Sequence, residues 1–310
     1  MLSLTHKLSI GGYIFPAVNT VTIVKSREGG DTMTISLPKY KRLSYHDIPE
    51  GTKVEFACGY TQYGVFHEFD GFVREVSPTQ PFTIVVEDYF YFLRRDILSK
   101  TFSNMSAGSI VKYVCSPYPI DTSGVADGIT IKTRTYHNKT RRYIVTDLAL
   151  LCGFDAFMLD NCLFFDKPFS LQQKSIPCFA FGTNIIEDAT TFSPDAEYDK
   201  IILISEQTDG SGIVNTAEYG KGERIKKIYI EDIPRSEITK RVKELYDDIT
   251  YAGFTGMITA FGYPVVTHSG TIKLTDDRYP EKNGYYNVDK VEKEYGSNGF
   301  RQKIYLGRVA

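Results

Sequence analysis

Two stretches of this chain, far apart in sequence, follow the same order of turns and strands. The first reads GTKVEF, DGFVREV and FTIVVEDY from Gly51, Asp70 and Phe82, and the second reads GTIKLT, NGYYNVDKV and FRQKIYLG from Gly270, Asn283 and Phe300. Their spacing differs within the first hairpin loop, where insertions cost little. This order predicts an internal duplication. A chance likeness between two strand meanders is the alternative, because meanders share turn chemistry.

The first hundred residues have the pattern of a small barrel. In KVEFAC, from Lys53, apolar residues alternate with wetter ones, which predicts one buried face. In FTIVVED, from Phe82, both faces are apolar, as expected where a strand closes a small barrel. The 22 Tyr and 20 Phe residues of this 310-residue chain also favour β structure. We therefore predict a first β-barrel over residues 1–98.

Residues 99–177 have a different character. SIVKYVC and RRYIVTDLALLCG each place apolar residues on one helical stripe, and Gly153 is a natural C-terminal stop for the second helix. Asp160-Asn161 then indicates a tight turn between two strands. The segment is predicted to be an inserted helix-and-hairpin module.

Strand patterns return over residues 178–310, which we predict to form a second β-barrel with one amphipathic helix at 236–249. Ile238, Val242 and Leu245 lie on the apolar face of that helix, and Ser236 is its expected N-cap. The predicted fold class is thus mainly β with a small α/β part, in which two similar β-barrels flank an inserted module. The glycines expected at turns and strand starts are Gly51, Gly71, Gly153, Gly270, Gly284 and Gly299.

Charge and cysteine usage narrow the function classes. The 36 basic and 38 acidic residues give a formal charge of -2, which argues against sequence-specific nucleic-acid binding. Five widely spaced cysteines without a CxxC pair are interpreted as buried free thiols. No apolar run approaches ~18 residues and the polar N-terminus does not resemble a signal peptide, so we expect no membrane insertion.

Catalytic motifs are missing from the sequence. It has five histidines without HExxH spacing, and it lacks GxGxxG, GxxxxGK[ST] and GxSxG. Adjacent acids at Glu87-Asp88, Asp247-Asp248 and Asp276-Asp277 would point to opposite faces of a strand, so none can flank a sugar alone. A carboxylate pair from distant segments stays open. We predict no enzyme activity, no cofactor and no metal.

The stretch VVEDYFYFLRR, which begins at Val85, has two interpretations. Two carboxylates before four aromatic residues would suit a sugar-cleaving cleft, but they would equally suit a strand that ends in a buried corner. Four aromatic side chains can bury roughly 600 to 1,000 Å² together, more than soluble proteins usually expose in one patch. The corner is therefore the favoured interpretation.

In that corner, Asp88 is predicted to cap a short helical turn that begins at Tyr89, with Phe90 and Leu93 facing inward. We expect Tyr89 and Tyr91 to be the exposed members of the set. They are the candidate residues for a subunit interface.

These motifs resemble the late control protein D family, the baseplate hub proteins of contractile-tailed phages, which is similar in fold to the hub part of type VI secretion spike proteins. The family order of G-x-x-V-x-V-x-x-G, F-x-G-x-V and P-x-x-x-I-x-x-x-D strands is matched at Gly51–Gly59, Phe69–Val73 and Pro81–Asp88. RYIVTDLALLCGFDAFMLDNCLFFDKP looks like the helix, glycine and hairpin of its module. The likeness extends over nearly the whole chain, in short and degenerate motifs.

The resemblance implies a structural baseplate hub. Three subunits with two barrels each would form a ring of pseudo-six-fold symmetry that connects the tail tube to the central spike. Its implied partners are two further copies of this chain, tube subunits, baseplate wedge proteins and a separate spike protein, because the chain ends directly after its last predicted strand. The implied location is the baseplate of a virion tail, assembled in the bacterial host cytoplasm.

Two other function classes compete with the hub. A tail-associated peptidoglycan or polysaccharide hydrolase would use the carboxylate and aromatic segments as a sugar cleft. A carbohydrate-binding module would use exposed aromatic residues alone. Burial of those aromatic side chains would count against both.

Overall fold

The computed structural model describes residues 3–27, 29–39, 44–207 and 211–310. The strands are β1 (Leu4–Ile10), β2 (Tyr13–Phe15), β3 (Thr20–Ser26), β4 (Thr32–Leu37), β5 (Lys53–Tyr60), β6 (Gly64–Ser77), β7 (Phe82–Glu87), β8 (Ile97–Ser106), β9 (Thr130–Thr140), β10 (Asp155–Leu159), β11 (Cys162–Asp166), β12 (Cys178–Ala180), β13 (Ile185–Ser193), β14 (Lys200–Glu206), β15 (Val214–Gly220), β16 (Ile225–Tyr229), β17 (Gly253–Phe261), β18 (Thr271–Thr275), β19 (Gly284–Gly296) and β20 (Gly299–Val309). The helices are α1 (Phe90–Arg95), α2 (Ala107–Cys115), α3 (Arg141–Cys152) and α4 (Ile238–Ile249), with 3-10 turns at Tyr45–Asp47 and Pro280–Lys282.

Thirteen strands form one sheet that contains both predicted β regions. The first region has the order β3-β4-β7-β6-β5-β1, and the second has the order β13-β17-β20-β19-β18-β12. Neighbouring strands are antiparallel throughout, apart from the parallel pair β12 and β18. We call these two sets of strands the first and second β units. The mainly β fold is confirmed, and the shared strand order supports the duplication.

The hydrogen bonds correct the sequence alignment of the two units by one residue at their first turn. Val73 donates to Thr52 and accepts from Gly51, while Val288 donates to Gly270 and accepts from Ser269. Gly51 is therefore equivalent to Ser269, not to Gly270. Both residues have a positive φ, 83° and 58° respectively. The backbone conformation is duplicated although the glycine is not.

Each unit also has a β-bulge directly after the equivalent valine. The register between β6 and β7 skips Arg74, and the register between β19 and β20 skips Asp289. A bulge turns a strand away from its earlier direction. Beyond Asp289, β19 leaves β18 and pairs with β3, from Lys290 opposite Ser26 to Gly296 opposite Thr20. This pairing, which we call the internal joint, makes the two units one continuous sheet.

Three hydrophobic cores lie in the described chain, and they correct one predicted domain boundary. One core belongs to each β unit, and Tyr295 and Phe300 of the second unit are buried in the core of the first. The third core belongs to the inserted module but also includes Leu203 of β14 and Val242 of α4. Helix α4 contacts β14 and β15 and shares this core with the inserted module, so the core extends across the predicted boundary at residue 178.

The predicted helices occur with small shifts at their ends. Gly153 ends α3 with a φ of 71°, in the left-handed conformation expected of a C-terminal glycine. Helix α4 begins at Ile238, and Ser236 is not its N-cap. The carbonyl group of Pro234 accepts hydrogen bonds from the backbone N–H groups of Glu237 and Ile238. It thus satisfies N–H groups at the start of α4 that a capping serine side chain would otherwise bind.

The equivalence of Gly51 and Ser269 can be tested by changing the residue type at each position. We expect Gly51→Ala to lower the free energy of unfolding by about 1–3 kcal/mol, because alanine is strained at this φ. The added Cβ would also lie 2.9 Å from the Tyr91 hydroxyl group. Ser269→Gly is the matched control and should change the free energy of unfolding little. Glycine relieves the backbone strain at this positive φ, which offsets the greater conformational freedom that it gives the unfolded chain. Urea denaturation followed by circular dichroism measures both, and equal losses would contradict the equivalence.

Candidate functional site

The corner at VVEDYFYFLRR is closed by hydrogen bonds around Asp88. Its carboxylate accepts from the backbone N–H of Phe90 at 2.8 Å, at the start of α1, and from the backbone N–H of Asp31 at 2.6 Å. Phe90 and Leu93 are buried, as expected, although the helix starts at Phe90 and not at Tyr89. The carboxylate therefore fixes the first turn of α1 against the loop before β4.

Glu87 is buried beside Asp88 and binds two arginines. The Arg94 Nε donates to one carboxylate oxygen at 2.9 Å, and the Arg142 guanidinium donates to the other at 3.1 Å. Because Arg142 belongs to α3, this pair connects the first β unit to the inserted module. A buried carboxylate held by two guanidinium groups is a structural anchor and does not face a substrate cleft.

The expectation that Tyr89 and Tyr91 are exposed is wrong. Each is only 6% exposed, in the core that the inserted module shares with the first β unit. The Tyr89 hydroxyl group donates to Asp70 at 3.2 Å, and the Tyr91 hydroxyl group accepts from Arg95. The module covers a surface that a lone barrel would expose. Because both side chains are buried, the reason for assigning them to a subunit interface no longer holds. They also do not form an exposed aromatic surface for a sugar.

Two acids of this corner are buried close together. Burial raises the pKa of Asp88 to about 7, against the effect of the two N–H groups that it accepts from. Burial, with a smaller contribution from Asp88, raises the pKa of Asp31 well above its usual value. The folded protein therefore binds more protons than the unfolded chain between about pH 4 and pH 7.

Stability should consequently depend on pH through this pair. As pH rises from about 4 to about 7, these two carboxyl groups must ionise in a buried environment. Their contribution to the free energy of unfolding therefore falls. In Asp31→Asn one ionisation is removed, and the amide oxygen can still accept from the backbone N–H of Ser26. We expect the variant to gain stability relative to the native chain as pH rises. Urea denaturation at several pH values tests this, and parallel pH profiles would contradict it.

A second buried charge cluster lies where the two β units meet. The Lys293 Nζ of β19 is 2.5 Å from a carboxylate oxygen of Glu68 on β6, and both side chains are almost fully buried. Burial lowers the pKa of Lys293, while Glu68 opposes that shift. His268 is also fully buried, with its ring 4.4 Å from that of Phe157. Burial lowers the pKa of His268 to about 3, so it is neutral at physiological pH.

Removing one member of the buried pair should destabilise the junction of the units. Lys293→Met leaves Glu68 buried without a counter-charge, which we expect to cost about 3–5 kcal/mol. The double variant with Glu68→Gln should recover part of that loss, because no uncompensated charge remains. Urea denaturation of the native chain, both single variants and the double variant measures the coupling. Strictly additive losses would show that the pair does not act as a unit.

One acid of each of the other adjacent pairs has a defined contact. Asp248 forms an ion pair with Arg308 at 3.1 Å. The Asp276 carboxylate accepts from the backbone N–H groups of Arg278 and Tyr279, in the turn before β19. These contacts stabilise turns and strand ends, and they do not assemble two carboxylates across a cleft.

A large cleft lies between the inserted module and the segment that precedes α4. It has a volume of about 1650 Å³ and is bordered by β9, α3 and residues 231–237. Two of its acids are already paired, Asp232 with Arg134 at 2.6 Å and Glu244 with Arg241 at 3.5 Å. These two carboxylates are thus engaged by arginine side chains.

An exposed aromatic patch spans the two β units. Tyr63, in the turn after β5, stacks on Tyr263 with ring centroids 4.7 Å apart, and Phe66 stacks on the same ring at 5.7 Å. The two tyrosines are 51% and 41% exposed. Sequence reasoning missed this patch, since aromatic residues within the turns YTQYGVF and FGYP were the only signal.

The predicted glycines do not gather at one site. Gly71 lies where β6 passes close to β7, since a Cβ there would be 2.3 Å from the Glu87 carbonyl oxygen. A Cβ at Gly270 would meet the Gln173 side chain, whereas Gly299 faces open space and Gly284 has only an ordinary contact with Tyr286. Their roles are local to each strand or turn.

The side chains and helices of the described ranges bear on metal binding and on membrane insertion. Within them, no three His, Cys, Asp or Glu side chains are grouped to hold a metal ion. No helix among these residues is long and apolar enough to span a membrane. The five cysteines are free thiols, of which Cys58 and Cys115 are buried, but Cys178 is exposed, against expectation.

No protein-family model matches the sequence, and no curated protein sequence matches it either. Solved structures do match. The prophage MuSo2 43 kDa tail protein of Shewanella oneidensis is 15% identical with a TM-score of 0.75, over 99% of this chain and 98% of that one. A tail protein of Neisseria meningitidis is 13% identical with a TM-score of 0.72, over 99% and 97% of the two chains. The chain has the fold of phage tail proteins.

This tail-protein fold is shared with a secretion system. The E. coli protein c3393, described as a component of the type VI secretion system with structural similarity to bacteriophage T4 tail proteins gp27 and gp5, is 11% identical with a TM-score of 0.65. That match covers 98% of this chain and 77% of the other. The resemblance inferred from the sequence motifs is thus confirmed for the fold.

Proposed function

We propose that this chain is a structural baseplate hub of a phage-like contractile tail, which forms a trimeric ring between the tail tube and a spike. The observation that carries the proposal is the internal joint. Two units with one strand order are joined edge to edge within a single chain. Three such chains would supply six similar units, which is how a three-fold spike can meet a six-fold tube.

The similar structures support this placement. Two are tail proteins matched along nearly their whole length, and another is a component of a type VI secretion system. A further match, to a VgrG-containing complex of Francisella, has a TM-score of 0.58. By analogy, we propose tube subunits, a spike protein and baseplate wedge proteins as partners, and the virion tail baseplate, assembled in the host cytoplasm, as the location.

A structural role also fits the arrangement of the acids. The carboxylates that first suggested a sugar cleft are buried, Glu87 paired with two arginines and Asp88 hydrogen-bonded to the backbone N–H groups of Phe90 and Asp31. The aromatic residues beside Glu87 form a core. These observations favour a ring component over the hydrolase and over the carbohydrate-binding module.

The ring can be tested by mass and by shape. We expect light scattering of the purified chain to give a species of three times 35.1 kDa, increased by the mass of the spike when the spike protein is bound, because the ring needs three copies. Negative-stain electron microscopy of that species should show six similar lobes around a central channel. A chain that stays monomeric with its spike protein present, and that lies away from the axis of the tail, would contradict the proposal.

A further inference from the structure

The first β unit contains an unused counterpart of the edge that makes the internal joint. In the second unit, β19 continues beyond its bulge at Asp289 and pairs with β3. In the first unit, β6 continues beyond the equivalent bulge at Arg74 through Glu75–Ser77. These residues pair with β7 on one side. On the other side, no strand of the described ranges pairs with them.

The strand that would complete this edge exists at the far end of the same sheet. Strand β13 pairs with β17, which pairs with β20. In the same way β3 pairs with β4, which pairs with β7, so β13 is equivalent to β3. Tracing the register through those pairs makes Phe192 equivalent to Lys25. Strand β3 is paired on both sides, whereas β13 pairs only with β17 among the described strands. Each unit thus supplies one half of a second joint.

We propose that this second joint forms between copies, by antiparallel pairing of β6 residues Glu75–Ser77 with the C-terminal end of β13 in the next copy. The inference rests on the proposed ring and names the strands that close it. In the internal joint Val291 lies opposite Lys25. The same register places Val76 opposite Phe192 of the next copy and Ser77 opposite its Thr191.

The side chains at the two edges suit each other. Phe192 is 60% exposed and contacts Phe254, with the two ring centroids 4.9 Å apart. Beside the open edge of β6 lies a groove of about 390 Å³, bordered by residues that include Ile48, Pro49 and Val76. A phenylalanine seated there would bury apolar surface on both copies. Pairing of the two edges would also protect them from other partners.

The joint between copies is predicted to be weaker than the internal joint. Strand β19 contributes seven residue pairs to β3, from Lys290 to Gly296. The hairpin of β6 and β7 ends earlier, with Ser77 opposite Thr83, so only three residues follow the bulge. Fewer backbone hydrogen bonds make the contact between copies the one that opens first. A ring held by it assembles reversibly, while each chain stays intact.

Cysteine cross-linking of the full chain tests the strands and their register together. Val76→Cys and Phe192→Cys are combined in a Cys178→Ser background, which removes the exposed native thiol. Paired residues of antiparallel strands have Cα atoms about 4.5–5.5 Å apart, within the range that a disulfide spans. Mild oxidation should therefore yield covalent dimers and trimers on a non-reducing gel, and no larger species.

The matched control shifts the register by one residue. Val76→Cys combined with Thr191→Cys places the second thiol on the opposite face of β13, so it should cross-link at least tenfold less. Trimers by light scattering with no adduct from the Val76 and Phe192 pair, or with equal adducts from both pairs, would overturn this joint while the hub ring stands. Absence of any three-fold assembly, with or without the spike protein, would overturn the ring and the joint together.

Discussion

Backbone hydrogen bonds between β19 and β3 are the constraint on which the rest of this molecule depends. They turn two duplicated β units into one sheet, and they carry Tyr295 and Phe300 into the core of the neighbouring unit. The Tyr60 hydroxyl group adds a hydrogen bond to the Phe300 carbonyl oxygen at 2.7 Å. Because the joint shares both a sheet and a core, it fixes the angle between the units. The proposed ring would require such a fixed angle.

The charged groups at this junction and at the first corner specify the geometry more than they add stability. Lys293 and Glu68 lose their water on burial, and this cost can exceed the attraction between two buried charges. Glu87 likewise positions α3 of the inserted module against β7 through Arg142. In both places, a shift in how the two elements pack would leave a buried charge without its counter-charge. Such contacts penalise alternative arrangements of the units.

Much of the local structure could be predicted from the sequence, but the site could not. The alternating pattern of KVEFAC, the glycine stop at Gly153 and the role of Asp88 at the start of α1 all depend on near neighbours in the chain. The burial of Tyr91 depends on a module that folds back over the corner, and the stack of Tyr63 on Tyr263 depends on two distant turns. Contacts between distant segments leave no pattern in a single sequence.

By itself, the sequence determined the strands, the helices, the order of turns and the presence of two similar units, because periodicity and turn chemistry act over a few residues. Only the tertiary structure decided that the units share one sheet, that Ser269 takes the backbone conformation of Gly51, and that α4 shares a core with the inserted module. It also decided which strand edges have no partner among the described strands. Strand pairing is set by backbone groups that every residue carries, so residue types do not reveal which edge meets which.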